Sequence, residues 1–228
     1  MDSTSAGAEP AIPPTAASPP AGRRRGRPAG TKGVPRAERE EQILAAAMEE
    51  FGRHGHASAS MAAIARRVGV TKPMLYAYFD SKDGLYLACL EHIAARVIAA
   101  IDEAMSSRGP AATAEEQLPH AVLTGLFTAL EGRRHAWFVL YDRTLPPGSE
   151  LRLAAQRHRE AVDGFAATGT AALLSGRGNE DPLDADALKH VWTGTVSALM
   201  GWWIAHPDQS AQDMSTRCAR LLTAIRSA

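Results

Sequence analysis

The stretch MAAIARRVGVTKPMLYAYF, residues 61–79, divides at Gly69. To its left an apolar face recurs at Met61, Ile64, Ala65 and Val68, and to its right another recurs at Leu75 and Phe79. Both sets of intervals are helical, since positions three and four apart share one side of an α-helix. Ser60 is placed to cap the first helix and Thr71 the second, whose first turn tolerates Pro73. Gly69 supplies the turn, because glycine adopts a positive φ without a Cβ clash. Two helices this short are marginal alone in water. They need a brace, and the second has a spare face carrying Lys72, Tyr76 and Tyr78.

The brace comes first in the chain. From Arg36 the pattern is helical, with Ile43, Ala47 and Phe51 on one side, Leu44 and Met48 beside them, and a stop predicted at Gly55. After Phe79, Asp80 and Ser81 open a long helix to about Ser106, striped by Tyr86, Leu90, Ile93, Val97 and Ile101. A bracing helix, then helix, glycine turn, helix, is the helix-turn-helix arrangement. A DNA major groove admits one α-helix, whose N-terminal side chains reach base edges. On that reading Lys72 donates to guanine, Pro73, Met74 and Ala77 meet thymine methyls, and Tyr76 does either. Tyr78 and Lys82 lie farther along and suit phosphates, as does the Ser60 hydroxyl at a helix start. The competing reading makes Tyr76 and Tyr78 half-buried core aromatics.

The runs ILAAAMEEFGRHG (43–55) and SMAAIARRVGVTKPMLYAYFDSKDGLYLACL (60–90) resemble the DNA-binding domain of the TetR family of bacterial transcriptional regulators. The resemblance covers about residues 37–96 and includes the pattern I-A-x-x-x-G-V-[ST]-x-x-x-L-Y-x-[YH]-F-x-[SN]-K, met in full from Ile64 to Lys82. It implies that Lys72, Pro73, Met74, Tyr76 and Ala77 face the major groove with Met61 close to the bases. Ser60, Thr71, Tyr78 and Lys82 are then the phosphate contacts. It also implies that the helix after Lys82 joins this head to an all-α ligand-binding and dimerisation domain.

Residues 1–33 differ in composition. The first 22 are rich in Ala, Pro and Ser without a helical period, and read as a disordered arm. RRRGRPAGTKG, residues 23–33, then holds five cations and no acid. Its Arg25-Gly26-Arg27-Pro28 resembles the core of an AT-hook, in which arginines lie in a narrow A·T-rich minor groove. Arg25 and Arg27 are candidates for that contact; a solvated basic tail is the other reading.

The 228 residues have no net charge, but residues 1–82 carry +4 and residues 83–228 carry −4. The split points to an anionic partner for the front end. Cys89 and Cys218 form no metal or redox spacing, which fits a reducing compartment. No long apolar run precedes residue 40, so no signal peptide is expected. His190 to Pro207 holds no acid, Lys or Arg, but Thr193, Thr195, Ser197 and two glycines interrupt it. At 18 residues it falls short of the roughly 20 apolar residues of a membrane span and reads as a buried helix. A cytoplasmic protein without membrane contact is expected.

Beyond residue 97 the patterning stays helical, with segments near 113–132, 135–141, 149–175, 184–205 and 210–226, and Pro119 expected to kink or restart the first. The fold class is all-α, about nine helices: a three-helix head over 37–96 (helix-turn-helix 60–79) and a helical effector-binding and dimerisation domain over 97–228. Trp137, Phe138, Tyr141, Phe165 and Trp192 are candidate pocket residues, with His158 and His190 as polar anchors. Taken one at a time, the same residues read more simply as core or subunit interface. Leu199 and Trp202 on the penultimate helix, with Met214, Cys218, Leu221, Leu222 and Ile225 on the last, form stripes suited to a four-helix bundle with a second copy. The histidines are scattered, so no metal or other cofactor is expected, and no nucleophile–base pair, phosphate loop or carboxylate pair suggests an enzyme. The expected function is a homodimeric, sequence-specific DNA-binding regulator, most simply a repressor released from a pseudo-palindromic operator by a small, largely apolar or aromatic effector. The alternatives are control by a protein partner or by no ligand, and a small-molecule-binding protein or enzyme with a relic head.

Overall fold

The computed structural model describes residues 33–107 and 113–226, and all regular structure among them is helical. Arg25 and Arg27 lie outside the described residues. The order is α1 (Arg36–Ser58), α2 (Met61–Val68), α3 (Lys72–Phe79), α4 (Lys82–Ser106) and α5 (Thr113–Leu130), then a 3-10 turn at Arg134–Ala136. α6 (Trp137–Leu140), α7 (Glu150–Ser175), α8 (Pro182–Ala205) and α9 (Ala211–Arg226) complete it.

The head is built on α1, whose Ile43, Ala47 and Phe51 are fully buried. The stop predicted at Gly55 is a break (φ 68°, ψ 166°), after which a last turn resumes to Ser58. Ser60 then works in two directions. Its hydroxyl accepts the Ala63 N–H at 3.3 Å, and its own N–H donates to the buried Glu50 carboxylate on α1 at 3.0 Å. From the start of α1, Arg39 reaches the Val68 carbonyl at the other end of α2 (3.5 Å). Gly69 takes the left-handed conformation (φ 73°, ψ 30°), and Val70 N–H closes on the Ala65 carbonyl at 3.0 Å, satisfying a carbonyl of the last turn. α3 buries Leu75 and Phe79 against this frame. Thr71 holds the N-cap position of α3, but its hydroxyl makes no capping bond, contrary to the sequence expectation. Asp80, at φ 58°, ends α3, and Ser81 caps α4 by accepting the Gly84 N–H at 2.8 Å.

α4 runs through the boundary expected near residue 96, so the head and the C-terminal helices share one helix and one continuous core. Tyr86, Cys89, Leu90, Ile93 and Val97 on it are fully buried. Among the described helices α4, with mean hydropathy 1.5, is long and apolar enough to cross a bilayer, but these side chains are spent on the protein interior. α5 packs on α4 and α9, and α7 on α8 and α4. α5 continues through Pro119 instead of restarting; the proline falls in its second turn, where it removes one ladder bond. The Ser149 hydroxyl caps α7 as the sequence suggests (Arg152 N–H, 3.2 Å). α8 starts two residues earlier than expected, because the Asp181 carboxylate caps it at Leu183 N–H (2.8 Å) with Pro182 in the first turn.

Candidate DNA-reading face and ligand cavity

With Leu75 and Phe79 turned inward, α3 leaves Thr71, Lys72, Pro73, Tyr76 and Ala77 exposed and Met74 half-buried. The Lys72 ammonium lies 6.0 Å from the Tyr76 ring, so a donor and an amphipathic ring share one surface. Arg66 and Arg67, which the sequence reading passed over, end α2 as exposed cations. Tyr78 is half-buried, its ring under the Arg36 guanidinium at 5.1 Å. Lys82 donates to the Ala57 carbonyl at 3.3 Å, which ties the start of α4 to the end of α1. Met61 corrects an expectation: it is 5% exposed, because the first position of the α2 stripe packs into the head core and not toward a groove.

Between α4, α5, α6, α7 and α8 lies a cavity of about 110 Å³ whose walls carry no charged residue. Trp137, Tyr141, Phe165 and Trp192 line it as anticipated. Phe138, His158 and His190 do not line it. His190 is turned outward, its side chain 69% exposed and its Nδ1 on the Asp186 carbonyl at 2.8 Å, so it cannot anchor a ligand inside. The two threonines of the wall are committed to helix carbonyls, Thr170 to Ala166 (2.8 Å) and Thr193 to His190 (3.3 Å). One fully buried donor of the wall is uncommitted: Trp137 is 2% exposed, and its Nε1 has no partner. A buried polar group left this way is costly unless something accepts from it. Trp137 stacks on Tyr141 at 4.8 Å between ring centroids. Burial first, then the Asp163 charge, pushes the Tyr141 phenol up to about 12 against the opposing pull of Arg159, so it stays neutral. The aliphatic wall, including Ile101, Val122 and Val196, was invisible in sequence, since its spacing is that of any helical core.

The cavity wall is bonded to the head. The Tyr86 hydroxyl on α4 donates to the Val139 carbonyl of α6 at 2.8 Å. Just past Tyr141, Asp142 Oδ2 accepts the His56 N–H of α1 at 2.7 Å. Gly52 of α1 meets the 3-10 turn so closely that a Cβ there would lie 2.0 Å from the His135 carbonyl oxygen. His135 Nδ1 lies 3.1 Å from Glu49 Oε2, and His56 Nε2 lies 2.8 Å from Asp83 Oδ1.

On the last two helices Val191, Leu221 and Ile225 are exposed, at 64%, 47% and 73%. Leu199, Trp202 and Leu222 are half-buried, and Trp202 stacks on His206 at 3.7 Å. Met214 and Cys218, expected at a subunit interface, are at most 1% exposed inside the chain's own core. The reason is α5: between them Ser215 Oγ bonds Thr124 at 2.7 Å, and this side of α9 closes onto α5.

Residues 43–89 match the family model described as bacterial regulatory proteins, tetR family. The head carries a TetR-type DNA-binding segment. Among curated relatives it is similar to the HTH-type transcriptional activator FasR of Mycolicibacterium smegmatis, 33% identical over 138 residues. That match takes in 60% of this chain and 58% of the relative, less than two thirds of its length. The fatty acid metabolism regulator protein of Bacillus subtilis is 24% identical over 166 residues, covering 72% of this chain and 82% of that one. In fold, the chain resembles a TetR-like transcriptional regulator from Rhodococcus sp. RHA1 (TM-score 0.59, 23% identity, 86% of this chain and 99% of that one). It also resembles the regulator FadR from Bacillus subtilis in complex with stearoyl-CoA (TM-score 0.60, 17% identity, 80% of this chain and 96% of that one). The all-α TetR architecture, head and helical domain, is thus shared across the described helices.

Proposed function

We propose that this protein is a TetR-type, sequence-specific DNA-binding transcriptional regulator, working as a homodimer and released from its operator when an apolar effector enters the cavity. The observation that carries the reading is the division of α3, with Leu75 and Phe79 holding the helix in the head while Lys72, Pro73, Tyr76 and Ala77 remain exposed. A helix so held presents its N-terminal half to base edges. Lys72, Pro73, Met74, Tyr76 and Ala77 are the reading residues, and Ser60, Thr71, Tyr78 and Lys82 the phosphate contacts. Arg25 and Arg27 add minor-groove contacts from the arm. Dimerisation through Leu199, Trp202, Leu221, Leu222 and Ile225 places two heads on a pseudo-palindromic site in the cytoplasm.

The cavity supports control by ligand. At about 110 Å³ it is smaller than the ~300–1,000 Å³ typical of ligand pockets, so a ligand enters only by parting the surrounding helices. Parting them strains the bonds from α6 to Tyr86 and from Asp142 just beyond it to His56, and hence the ends of α1 and α4 that hold the head. A ligand that prefers the widened state shifts the population toward it. The uncharged lining selects an aliphatic or aromatic molecule, and an acyl chain is the reading favoured by two relatives, one named for fatty acid metabolism and one holding stearoyl-CoA. Repression is the simpler sign for a ligand-released protein. Activation is the second reading, favoured by the printed name of the FasR relative.

Fluorescence anisotropy of labelled DNA taken from upstream of the protein's own coding sequence tests the function. Binding is expected to prefer one fragment over scrambled DNA, to weaken steeply with salt, and to be reversed by dodecanoate. Equal binding to all fragments, or binding that no acyl compound alters, would contradict it.

A further inference from the structure

Next to the apolar cavity, between the end of α1 and the segment joining α6 to α7, lies an open cleft of about 790 Å³. Arg53, Arg143, Arg152 and Arg159 line it against a single carboxylate, Asp142. Asp142 is already engaged, accepting from the His56 N–H and from the Thr144 N–H and hydroxyl, each at 2.7 Å. Arg53 pairs with Glu49 at 2.6 Å outside the cleft wall. Arg152 and Arg159 each give one N–H to a carbonyl, of Leu145 at 3.3 Å and Leu140 at 3.0 Å, out of the five donors a guanidinium carries. Arg143 is exposed and has no hydrogen-bond or ion-pair partner among the described residues. The cleft therefore holds an excess of positive charge with donors to spare.

The two spaces share a wall. Tyr141 lines both, and it stacks on Trp137, the cavity residue whose Nε1 lacks an acceptor. An anion cannot follow an acyl chain into walls without charge, because desolvating it there costs far more than the apolar contacts return. It must stay at the mouth, and the cationic surface adjoining the cavity is this cleft. Guanidinium forks match phosphate oxygens in pairs, which favours a phosphorylated head.

We propose that the effector is an amphiphile carried on a phosphate-bearing head. Its chain occupies the apolar cavity, its ester or thioester carbonyl accepts from Trp137 Nε1 at the shared wall, and its phosphates lie among the arginines of the cleft. This rests on the ligand-released regulator reading and adds the chemistry of the head group. It also ties binding to the DNA head, because the cleft is walled by Gly52, Arg53, His54 and Gly55 at the end of α1.

Isothermal titration of the full-length protein with dodecanoyl-CoA, dodecanoate and coenzyme A tests the proposal. Dodecanoyl-CoA is expected to bind tightest and coenzyme A alone weakly, with added salt eroding the dodecanoyl-CoA affinity more than the dodecanoate affinity. Arg143→Ala is expected to weaken dodecanoyl-CoA about fivefold, the scale of one exposed ion pair, and to leave dodecanoate unchanged; Arg143→Lys restores most of the loss. Trp137→Phe, which keeps a ring and removes the donor, weakens dodecanoyl-CoA without abolishing the Arg143 effect. If dodecanoyl-CoA and dodecanoate bind alike and Arg143→Ala changes neither, or if neither acyl compound binds, the proposal is overturned. Titrating DNA with the ligand-free protein in parallel separates the two claims. Specific DNA binding beside a failed cleft result sinks this proposal alone, whereas loss of specific DNA binding sinks the regulator reading.

Discussion

Lys72 and Tyr76 are one helical turn apart on α3, with buried Leu75 beside them, so changing either exposed side chain leaves the head core intact. Lys82 differs, since its ammonium is bonded to the Ala57 carbonyl and helps seat α4 on α1. The two lysines should therefore fail differently. Lys72→Ala is expected to cost about 1–3 kcal/mol of operator affinity and to relax selectivity at one base position. Lys82→Ala is expected to weaken binding at every sequence alike and to shallow the log–log salt slope by about 1. Isotherms against the operator and its single-base variants distinguish these; a uniform loss for Lys72→Ala would make it a phosphate contact. At this scale the sequence was legible where one helix decides burial, as with Leu75 and Phe79. At Met61 the apolar stripe already pointed inward, and it was the family resemblance that set the residue near the bases.

At the scale of elements, the contact between α1 and the turn before α6 links the head to the cavity. Gly52 is its tightest point. In an exposed helix Gly→Ala would stabilise by about 0.5–1 kcal/mol. Here the added Cβ would lie 2.0 Å from the His135 carbonyl oxygen, and overpacking typically costs about 1–3 kcal/mol. Gly52→Ala should therefore lower stability, read as a smaller denaturant midpoint, and should alter how strongly an effector releases DNA. A stabilised Gly52→Ala protein would mean that α1 and the turn are not held in contact. Periodicity and caps located the helices well because each is a local signal. Gly52 carries no such signal, since a close approach across 83 residues of sequence leaves no periodic trace. His190 was misplaced for a related reason: α8 is apolar around much of its circumference, so its sequence does not say which face meets α7.

At the scale of the whole molecule, one chain leaves an apolar surface uncovered among its described residues. Leu221 and Ile225 are 47% and 73% exposed on α9, with Val191 64% exposed on α8, although Met214 and Cys218 on the same helix as Leu221 are closed off by α5. The sequence showed the apolar stripe but not its division, because both halves of α9 repeat the same residue types. This division sharpens the test. In a single chain Leu221→Glu puts a charge in water and should cost little. At the centre of a two-fold bundle it would be buried and unpaired on both subunits, at about 3–5 kcal/mol, the scale of an uncompensated buried charge. The expected variant is a monomer with wild-type helicity by circular dichroism and no operator binding; a stable Leu221→Glu dimer of wild-type affinity would move the interface elsewhere.

The central claim is that the exposed flank of α3, presented twice by a dimer, reads a specific DNA sequence. Selection of bound sequences from random DNA by the purified protein, repeated with a Lys72→Ala/Tyr76→Phe variant, tests it most directly. The account predicts enrichment of two inverted half-sites about one helical turn, roughly 34 Å, apart, with the half-site preference lost or altered in the variant. No enriched sequence for the wild type, or the same enriched sequence for the variant, would contradict it.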